Sequence, residues 1–303
     1  MIVTSHETEQ QWLQARKKGI GASECAAVLG YSNWQTALSV WEKKVSPDVD
    51  AQETSPMCEW GHRHEWSIGE KFCEVFDAEQ LSTDTGIKDI ELVDLGKYAT
   101  AWRENEPLFC TPDRVIVGVA AETPIAALEI KTAYYDRGKE WNDRIPREYR
   151  CQLQHAMYCL GVDYGYYAVL INGYDFRWYK DRRHDKFLSM AIPRMLDFWE
   201  MVKAKVPPDP SWQKVDSQAL ARIHGDPQEE VVDLPEELQE AYREIESYEN
   251  LIKATERKRD QRKNDVRAAM GNATAARDRN GSGFTWIADK NGKRTLRKKE
   301  QMR

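Results

Sequence analysis

Two carboxylates and one lysine occupy a part of the chain whose neighbouring residues favour β-strands. Asp113 comes directly before an apolar run that starts at Val115, and Glu129 and Lys131 lie two residues apart in a second such run. Because successive side chains alternate across a strand, Glu129 and Lys131 are predicted to point to the same face. Two carboxylates that meet a lysine suit a divalent metal ion and a phosphate undergoing hydrolysis. These three residues are therefore the candidate catalytic group.

Each member of this group has its own expected role. Mg²⁺ prefers oxygen ligands and keeps several waters, so Asp113 and Glu129 would supply carboxylate ligands and the backbone carbonyl of Ile130 a third. Lys131 would lie beside the attacking water and offset the charge that develops on the phosphate. Mn²⁺ accepts the same donors, so the sequence does not distinguish the two metals. The alternative is an ordinary surface Glu-x-Lys pair, but the surrounding run is apolar and buried charges are costly unless paired or metal-bound.

A helix predicted over residues 146–160 carries Tyr149, Gln152 and Gln154. Tyr149 lies one turn before Gln152, so the two share a helix face. A glutamine here would orient the lysine or the attacking water, with Tyr149 and Gln154 in support. The alternative is a partly buried helix with a polar edge.

A second helix, predicted over residues 57–77, carries Glu65. This carboxylate would reach the metal directly or through a water. His62 and His64 on the same helix raise the question of zinc, but side chains two residues apart on a helix point to different faces and no matching third ligand is evident. We therefore interpret Glu65 as an assisting ligand of the magnesium site.

Near the N-terminus, the segment from Arg16 to Ser23 contains the glycine break Gly19-Ile20-Gly21. Ser23 is the predicted N-cap of the helix that follows. A glycine loop leading into a helix N-terminus binds phosphate through free N–H groups, and Arg16 would add a bidentate contact and Ser23 a hydroxyl. The alternative is a plain helix junction with a capping serine.

The positioning elements predict an α/β protein with an appendage. Residues 5–45 and 57–77 read as helical, apolar runs around 115–130 and 164–179 predict two hairpins, and a helix is expected over 186–204. We assign one domain to 1–208 and a proline-containing linker to 209–233. The remainder, 234–303, is a helical arm over 234–270 followed by a small basic hairpin.

Composition restricts the class of protein. The chain has 303 residues, a net charge of −6 and 31% charged residues, and no apolar run approaches the roughly 20 residues of a membrane span. The N-terminus lacks a signal-peptide pattern, and six cysteines without a CxxC pair favour a reduced, cytoplasmic protein without structural zinc. Residues 253–303 carry 16 Lys and Arg against 6 Asp and Glu, a net +10 that leaves −16 elsewhere. This section would hold a polyanion, or it is a solvated helix face with a tail.

Taken in chain order, these motifs resemble those of the phage lambda-type exonucleases and their YqaJ-type viral recombinase relatives, in the PD-(D/E)XK nuclease superfamily. The resemblance covers about residues 10–205. It rests on Arg16 and Ser23 around Gly-Ile-Gly-Ala-Ser-Glu, Trp60-Gly61 with Glu65, Thr111-Pro112-Asp113, Glu129-Ile130-Lys131, and Tyr149 with Gln152 and Gln154.

The resemblance implies a three-layer, restriction-endonuclease-like α/β core with a central mixed β-sheet flanked by helices, here with a C-terminal helical extension. It implies Mg²⁺-dependent hydrolysis with two ions per site, 5′→3′ on linear double-stranded DNA, leaving 3′ single-stranded overhangs for recombination by strand annealing. By carry-over, Asp113 and Glu129 bind metal, Glu65 assists, Lys131 and Gln152 act on the nucleophile, and Arg16 with Ser23 hold the terminal 5′-phosphate.

The resemblance further implies a single-strand annealing protein as partner, a ring-shaped homotrimer and the cytoplasm of a bacterial or phage-infected cell. The hairpin joining Asp113 to Glu129 is longer than in the compact lambda-type member. That member also lacks the section after about residue 210, which puts the ring geometry in doubt. Three alternatives stay open at this point: an endonuclease of DNA processing or restriction, a catalytically inactive DNA-binding relative, and a helical scaffold built on 234–270.

Overall fold

A computed structural model of the chain describes residues 1–47, 55–76, 78–87, 90–119, 123–134 and 136–302. The chain forms two compact units, Met1–Pro227 and Gln228–Arg303. In the described residues, no helix is both long enough and apolar enough to cross a membrane.

The first unit contains both helices and strands, which are interspersed along the chain. Its helices are α1 (Glu9–Arg16), α2 (Ala22–Val28), α3 (Ala37–Val45), α4 (Pro56–Val75), α5 (Ala78–Thr85), α6 (Asp136–Glu140), α7 (Arg147–Leu160), α8 (Asp185–Ala204) and α9 (Lys214–His224). Its strands are β1 (Ile2–Ser5), β2 (Ile20–Gly21), β3 (Ile90–Val93), β4 (Ala99–Trp102), β5 (Leu108–Cys110), β6 (Arg114–Gly118), β7 (Thr123–Ala133), β8 (Tyr164–Ile171) and β9 (Asp175–Arg182).

A five-stranded mixed sheet in the order β3-β6-β7-β8-β9 forms the centre of this unit. β7 and β8 run parallel, and the other neighbouring pairs are antiparallel. The two predicted hairpins, β6–β7 and β8–β9, are confirmed, although residues 120–122 of the first turn lie outside the described residues. The second turn contains Asn172 and Gly173 at φ 53° and 80°, the left-handed backbone that an Asn-Gly hairpin turn requires.

Helices cover both faces of this sheet. One apolar cluster joins Ile68 and Phe72 of α4 to Leu128 of β7. A second cluster joins Leu153 of α7 to Tyr167 of β8. Because β7 is buried on both faces, its sequence is almost continuously apolar rather than alternating. The predicted three-layer α/β core with a mixed sheet flanked by helices is confirmed.

The N-terminal region differs from the helical prediction for residues 5–45. β1 pairs with β4, and β2 pairs in parallel with β5, in a second sheet of order β1-β4-β5-β2. Thr8 is the N-cap of α1, since its side chain accepts a hydrogen bond from the N–H of Gln11. The prediction that Ser23 is the N-cap of the next helix is wrong. α2 begins at Ala22 with Gly21 at the N-cap, because the Glu24 carboxylate accepts the Gly21 N–H at 2.8 Å.

The predicted linker 209–233 needs correction, because it contains α9. This helix packs against α3: Ala219 is fully buried, Asp216 accepts a hydrogen bond from the Thr36 hydroxyl, and Arg222 forms a 2.9 Å ion pair with Glu42. Four prolines between residues 207 and 227 suggested an extended connection, but all of them lie outside the helix. Residues 209–227 therefore belong to the first unit.

The second unit contains a short 3₁₀ turn, Glu236–Leu238, the 30-residue helix α10 (Ala241–Met270), and a sheet of β10 (Ala275–Arg277), β11 (Gly283–Ala288) and β12 (Arg294–Lys299). The predicted arm helix is thus confirmed from residue 241 onward. The terminal hairpin is a three-stranded antiparallel sheet, because β10 adds to the predicted β11–β12 pair.

Candidate functional site

Asp113 lies immediately before β6 and contacts the neighbouring strand through its side chain. Its Oδ2 accepts a hydrogen bond from the backbone N–H of Ile130 at 2.6 Å. The β6–β7 ladder ends at the pair Arg114 and Leu128, so Ile130 lies beyond the last backbone partner on that side. The Asp113 carboxylate thus takes the place of a missing carbonyl. The arrangement brings this acid to the backbone between Glu129 and Lys131.

Glu129 and Lys131 lie on the face of β7 that is covered by α7, as their spacing predicted. The Glu129 side chain is 2% exposed, and the Lys131 Nζ lies 3.4 Å from its Oε2. The Gln152 Nε2, on α7, donates a hydrogen bond to the same carboxylate oxygen. The structure therefore brings Glu129, Lys131 and Gln152 together, with Asp113 at the adjacent backbone.

Electrostatic coupling joins these groups. Burial raises the pKa of Glu129 to about 8; the charge of Lys131 opposes this shift, and those of Asp113 and Glu65 add to it. Burial by itself would lower the pKa of Lys131, but the carboxylates of Glu129 and Asp113 raise it above its ordinary value. Lys131 is therefore held as an ammonium, beside a carboxyl group whose pKa lies well above its ordinary value.

Glu65 approaches the site from α4, on the opposite side of the sheet. Burial, followed by the charge of Asp113, raises the pKa of its carboxyl group. Its Oε1 lies 2.8 Å from the His62 Nδ1, and the His64 ring stacks on Trp60 with centroids 5.7 Å apart. Among the described residues, no three His, Cys, Asp or Glu side chains form a group arranged to hold a metal ion.

The two supporting residues on α7 have different outcomes. Tyr149 lies near the site: burial and the charge of Glu148 raise the pKa of its phenol, and Lys131 opposes that shift. Gln154 is buried elsewhere. Its Nε2 donates to Asp181 Oδ2 at 3.0 Å, and its Oε1 accepts the N–H of His184 at 2.7 Å. The predicted supporting role of Gln154 at the site is therefore corrected to one in holding β9 and α8 on α7.

Arg16 and Ser23 lie near each other but touch only weakly, with the Arg16 Nη2 3.5 Å from the Ser23 Oγ. The guanidinium lies over the Trp12 ring, 4.5 Å from its centroid. Burial lowers the pKa of Arg16, and the charge of Glu24 opposes this shift. Ser23 is exposed, so its hydroxyl is open to a ligand.

An ion pair that the sequence did not predict supports this cluster. The Lys44 Nζ lies 2.7 Å from the Glu24 Oε2 and donates to the Arg16 carbonyl at 2.8 Å. A Glu three residues after the Gly21 cap has capping-box spacing, which is a signal for Glu24. No local pattern connects Lys44, which is 20 residues further along the chain.

A second group that the sequence analysis missed flanks Tyr149. The Arg137 guanidinium lies 4.1 Å from the centroid of the Trp34 ring and 3.3 Å from the Glu148 carboxylate. The Trp34 indole N–H also donates to Glu148, at 3.3 Å. Trp34 is more than 100 positions from the other two residues, so no spacing in the sequence indicates their contact.

Comparisons of the sequence with known proteins show the family of this chain. The YqaJ-like viral recombinase domain family matches residues 11–163, half of the chain. The uncharacterized protein YqaJ of Bacillus subtilis (strain 168) is 30% identical over 198 residues, which cover 64% of this chain and 56% of that protein. The chain thus spans little more than half the length of this relative.

Two solved structures are also similar. An alkaline exonuclease (LHK-Exo) from Laribacter hongkongensis is 14% identical, with a TM-score of 0.47 over 71% of this chain and 99% of that chain. The structure of LHK-Exo in complex with dAMP is 15% identical, with a TM-score of 0.48 over 71% and 97%. Family membership rests on the sequence match, which includes Asp113, Glu129, Lys131 and Gln152 within its bounds. The chain belongs to the YqaJ-like viral recombinase domain family.

Proposed function

We propose that this chain is a Mg²⁺-dependent nuclease that hydrolyses phosphodiester bonds in DNA. The observation that carries the proposal is the buried Glu129 carboxyl group, which contacts Lys131 and Gln152 and lies beside Asp113. A carboxyl group with a strongly raised pKa, placed next to a second acid and an ammonium, is typical of a functional site. Membership in a family of viral recombinase domains supports DNA as the substrate.

The residues present fit a hard divalent cation by their chemistry. Asp113, Glu129 and Glu65 are oxygen donors. Burial, together with the charge of Asp113, raises the pKa of both Glu129 and Glu65, so a cation would relieve the repulsion between these acids. We assign Asp113, Glu129 and the Ile130 carbonyl as ligands, with Glu65 assisting, for two Mg²⁺ or Mn²⁺ ions. When bound, the ions would polarise the phosphate and activate the attacking water.

The chain's own residues supply the remaining chemistry. Lys131 keeps its proton and would offset the negative charge that develops on the phosphate oxygens. Gln152 donates to the same Glu129 oxygen that Lys131 contacts and would orient this carboxyl group, or the attacking water, during reaction. Tyr149 lies near Lys131 and would restrict the lysine to this position.

The finer features of the reaction are part of the same proposal. Arg16 and Ser23 would bind the 5′-phosphate of a DNA end, with Lys44 and Glu24 holding the loop in place. Binding at that end favours 5′→3′ degradation of linear duplex DNA, which leaves a 3′ single-stranded overhang. Such a product suits a single-strand annealing protein as partner. A homotrimeric ring would serve processivity.

The test is digestion of 5′-phosphorylated linear duplex DNA and of covalently closed circular DNA with Mg²⁺. The linear substrate should be degraded and the closed circle should survive. Lys131→Ala should reduce the rate about 10²- to 10⁴-fold, the usual contribution of a group that acts in proton transfer or charge stabilisation. Lys71→Ala, on the exposed side of α4, is the matched control and should retain full activity.

Three outcomes separate the alternatives. Cutting of closed circles would favour the endonuclease. Mg²⁺-dependent cleavage that is unaltered in Lys131→Ala would reject the site assignment. Tight DNA binding by the wild-type protein without any cleavage would favour an inactive DNA-binding relative.

A further inference from the structure

The C-terminal three-stranded sheet has two chemically different faces. One face carries the partly buried side chains of Phe284, Trp286 and Leu296. Strand alternation and the pairing register place Arg277, Arg297 and Lys299 on the opposite face, together with Ala275, Thr285, Ile287 and Thr295. All three cations of this face are exposed. We call these seven residues the basic sheet face.

The register brings the cations close together. Arg277 and Lys299 both lie level with Gly283, one on each side of the central strand. Neighbouring strands are about 4.8 Å apart, so these two positions are separated by roughly 10 Å across the sheet. Arg297 precedes Lys299 by two residues on one strand, about 7 Å along it. Three positive charges thus lie within one small area, and the face has no acidic residue.

The acidic residues nearby do not neutralise this face. Over residues 275–302 there are eight Lys and Arg against three Asp and Glu, a net +5. The Asp278 carboxylate accepts the backbone N–H groups of Asn280 and Ser282, and the Asp289 carboxylate accepts those of Asn291 and Lys293. Both acids therefore stabilise turns rather than ion pairs.

By contrast, the cations of α10 have acidic partners. Arg243 pairs with Glu240, and Arg259 pairs with Glu256 and Asp260 on the same helix. Arg294, on the partly buried face of the sheet, lies over the Trp286 ring and donates to backbone carbonyls. Arg277, Arg297 and Lys299 have no ion pair within the described part of the chain.

We propose that the basic sheet face binds the phosphate backbone of duplex DNA outside the cleavage site. The choice of DNA as the polyanion rests on the proposed function. Exposed cations without acidic partners suit a regular array of phosphates, because each contact releases condensed counterions. Cations that contact phosphates carry no sequence information, so this binding would be independent of sequence. Ile287, on the central strand of this face and 58% exposed, would supply an apolar contact with the sugars.

The experiment uses the full-length protein without metal and a duplex whose two ends are closed by hairpin loops. Closed ends exclude the proposed 5′-phosphate site, and EDTA prevents cleavage. Fluorescence anisotropy gives the Kd between about 50 and 200 mM salt. The negative slope of log K against log salt should become shallower by about 2.7 in the triple variant Arg277→Gln/Arg297→Gln/Lys299→Gln. Each phosphate that is no longer neutralised lowers the magnitude of the slope by about 0.9.

Two control variants make the result specific. Lys186→Gln/Lys203→Gln/Arg243→Gln removes the same charge from other exposed positions and should leave the slope within about one unit of the wild type. Arg277→Lys/Arg297→Lys keeps the charge and should retain the wild-type slope. A triple variant of the basic sheet face that matches the wild type in slope and Kd would overturn the proposal. So would a preference of more than tenfold for duplex RNA in the wild type.

This test is independent of the active site. Weakened binding in the triple variant, with no nuclease activity in the wild type, would support the basic sheet face and reject the proposed function. Full nuclease activity in the wild type, with unchanged DNA binding in the triple variant, would support the proposed function and reject the basic sheet face. Circular dichroism of each variant confirms that the second unit is folded.

Discussion

The carboxylate of Asp113 accepts the backbone N–H of Ile130, the residue between Glu129 and Lys131, at 2.6 Å. A side chain thereby completes the hydrogen bonding of β7 at the point where β6 begins. The same contact holds Asp113 close to the part of β7 that carries the Glu129 and Lys131 side chains. Asp113 therefore serves both the sheet and the proposed metal site, and the two roles can be separated by substitution.

Asp113→Asn should keep the fold, because the amide oxygen still accepts the Ile130 N–H. It should lose DNA cleavage, because the amide carries no charge to bind a metal ion. Asp113→Ala should lose both, since the N–H is left without a partner at a cost of about 1–3 kcal/mol. Urea denaturation without metal measures the stability, and cleavage of linear duplex DNA measures the activity. Equal stability of the two variants would show that the hydrogen bond contributes little.

The raised pKa of Glu129 predicts a pH dependence of stability in the metal-free protein. The ordinary carboxyl pKa of about 4.5 applies to the unfolded chain, and burial raises it to about 8 in the folded protein. Between these values the folded state binds the proton and the unfolded state has released it. The unfolding free energy should therefore decrease as pH rises from about 5 to 8, by a few kcal/mol at most.

Glu129→Gln is the control for this dependence, because the amide cannot titrate. Over this pH range the wild type should become steadily less stable relative to the variant, as measured by the unfolding free energy. Addition of Mg²⁺ at pH 7 should release about one proton per site, which calorimetry in buffers of different ionisation enthalpy detects. A pH-independent difference would place the pKa of Glu129 near its ordinary value.

The two glutamines of α7 should have opposite phenotypes. Gln152→Ala removes a donor to Glu129 and should raise the Mg²⁺ concentration needed for half-maximal cleavage about 10- to 100-fold, as loss of a group that orients a ligand does. Gln154→Ala should leave the Mg²⁺ requirement unchanged. It should reduce stability by about 1–3 kcal/mol, because Asp181 and the His184 N–H lose their partner. A shared phenotype would contradict the different placements of the two side chains.

Two truncations test the boundary of the first unit. A chain ending at residue 208 lacks α9 and exposes the surface of α3 against which Ala219, Leu220 and Ile223 pack. We expect its Tm to fall by about 5–10 °C, since burial of these side chains contributes a few kcal/mol. A chain ending at residue 227 keeps this contact and should retain its melting temperature. Equal melting temperatures of the two truncated chains would show that residues 209–227 act as a linker and do not stabilise the first unit.

The sequence by itself determined the layered α/β core and the candidate residues of the proposed site. Periodicity and turn chemistry predict β6–β7, the Asn172-Gly173 hairpin and α7, because these depend on interactions within a few residues. The alternation of a strand places Glu129 and Lys131 on one face. The apolar residues around them indicate a buried charge, which distinguishes this pair from a surface Glu-x-Lys.

Only the tertiary structure decided which of these candidates meet. Gln152 and Gln154 are equivalent as residue types, but helix rotation directs the first to Glu129 and the second to Asp181. The contacts of Lys44 with Glu24 and of Arg137 with Trp34 join positions distant in the chain. Local preference carries no information about such pairs, because the packing of whole elements brings them together.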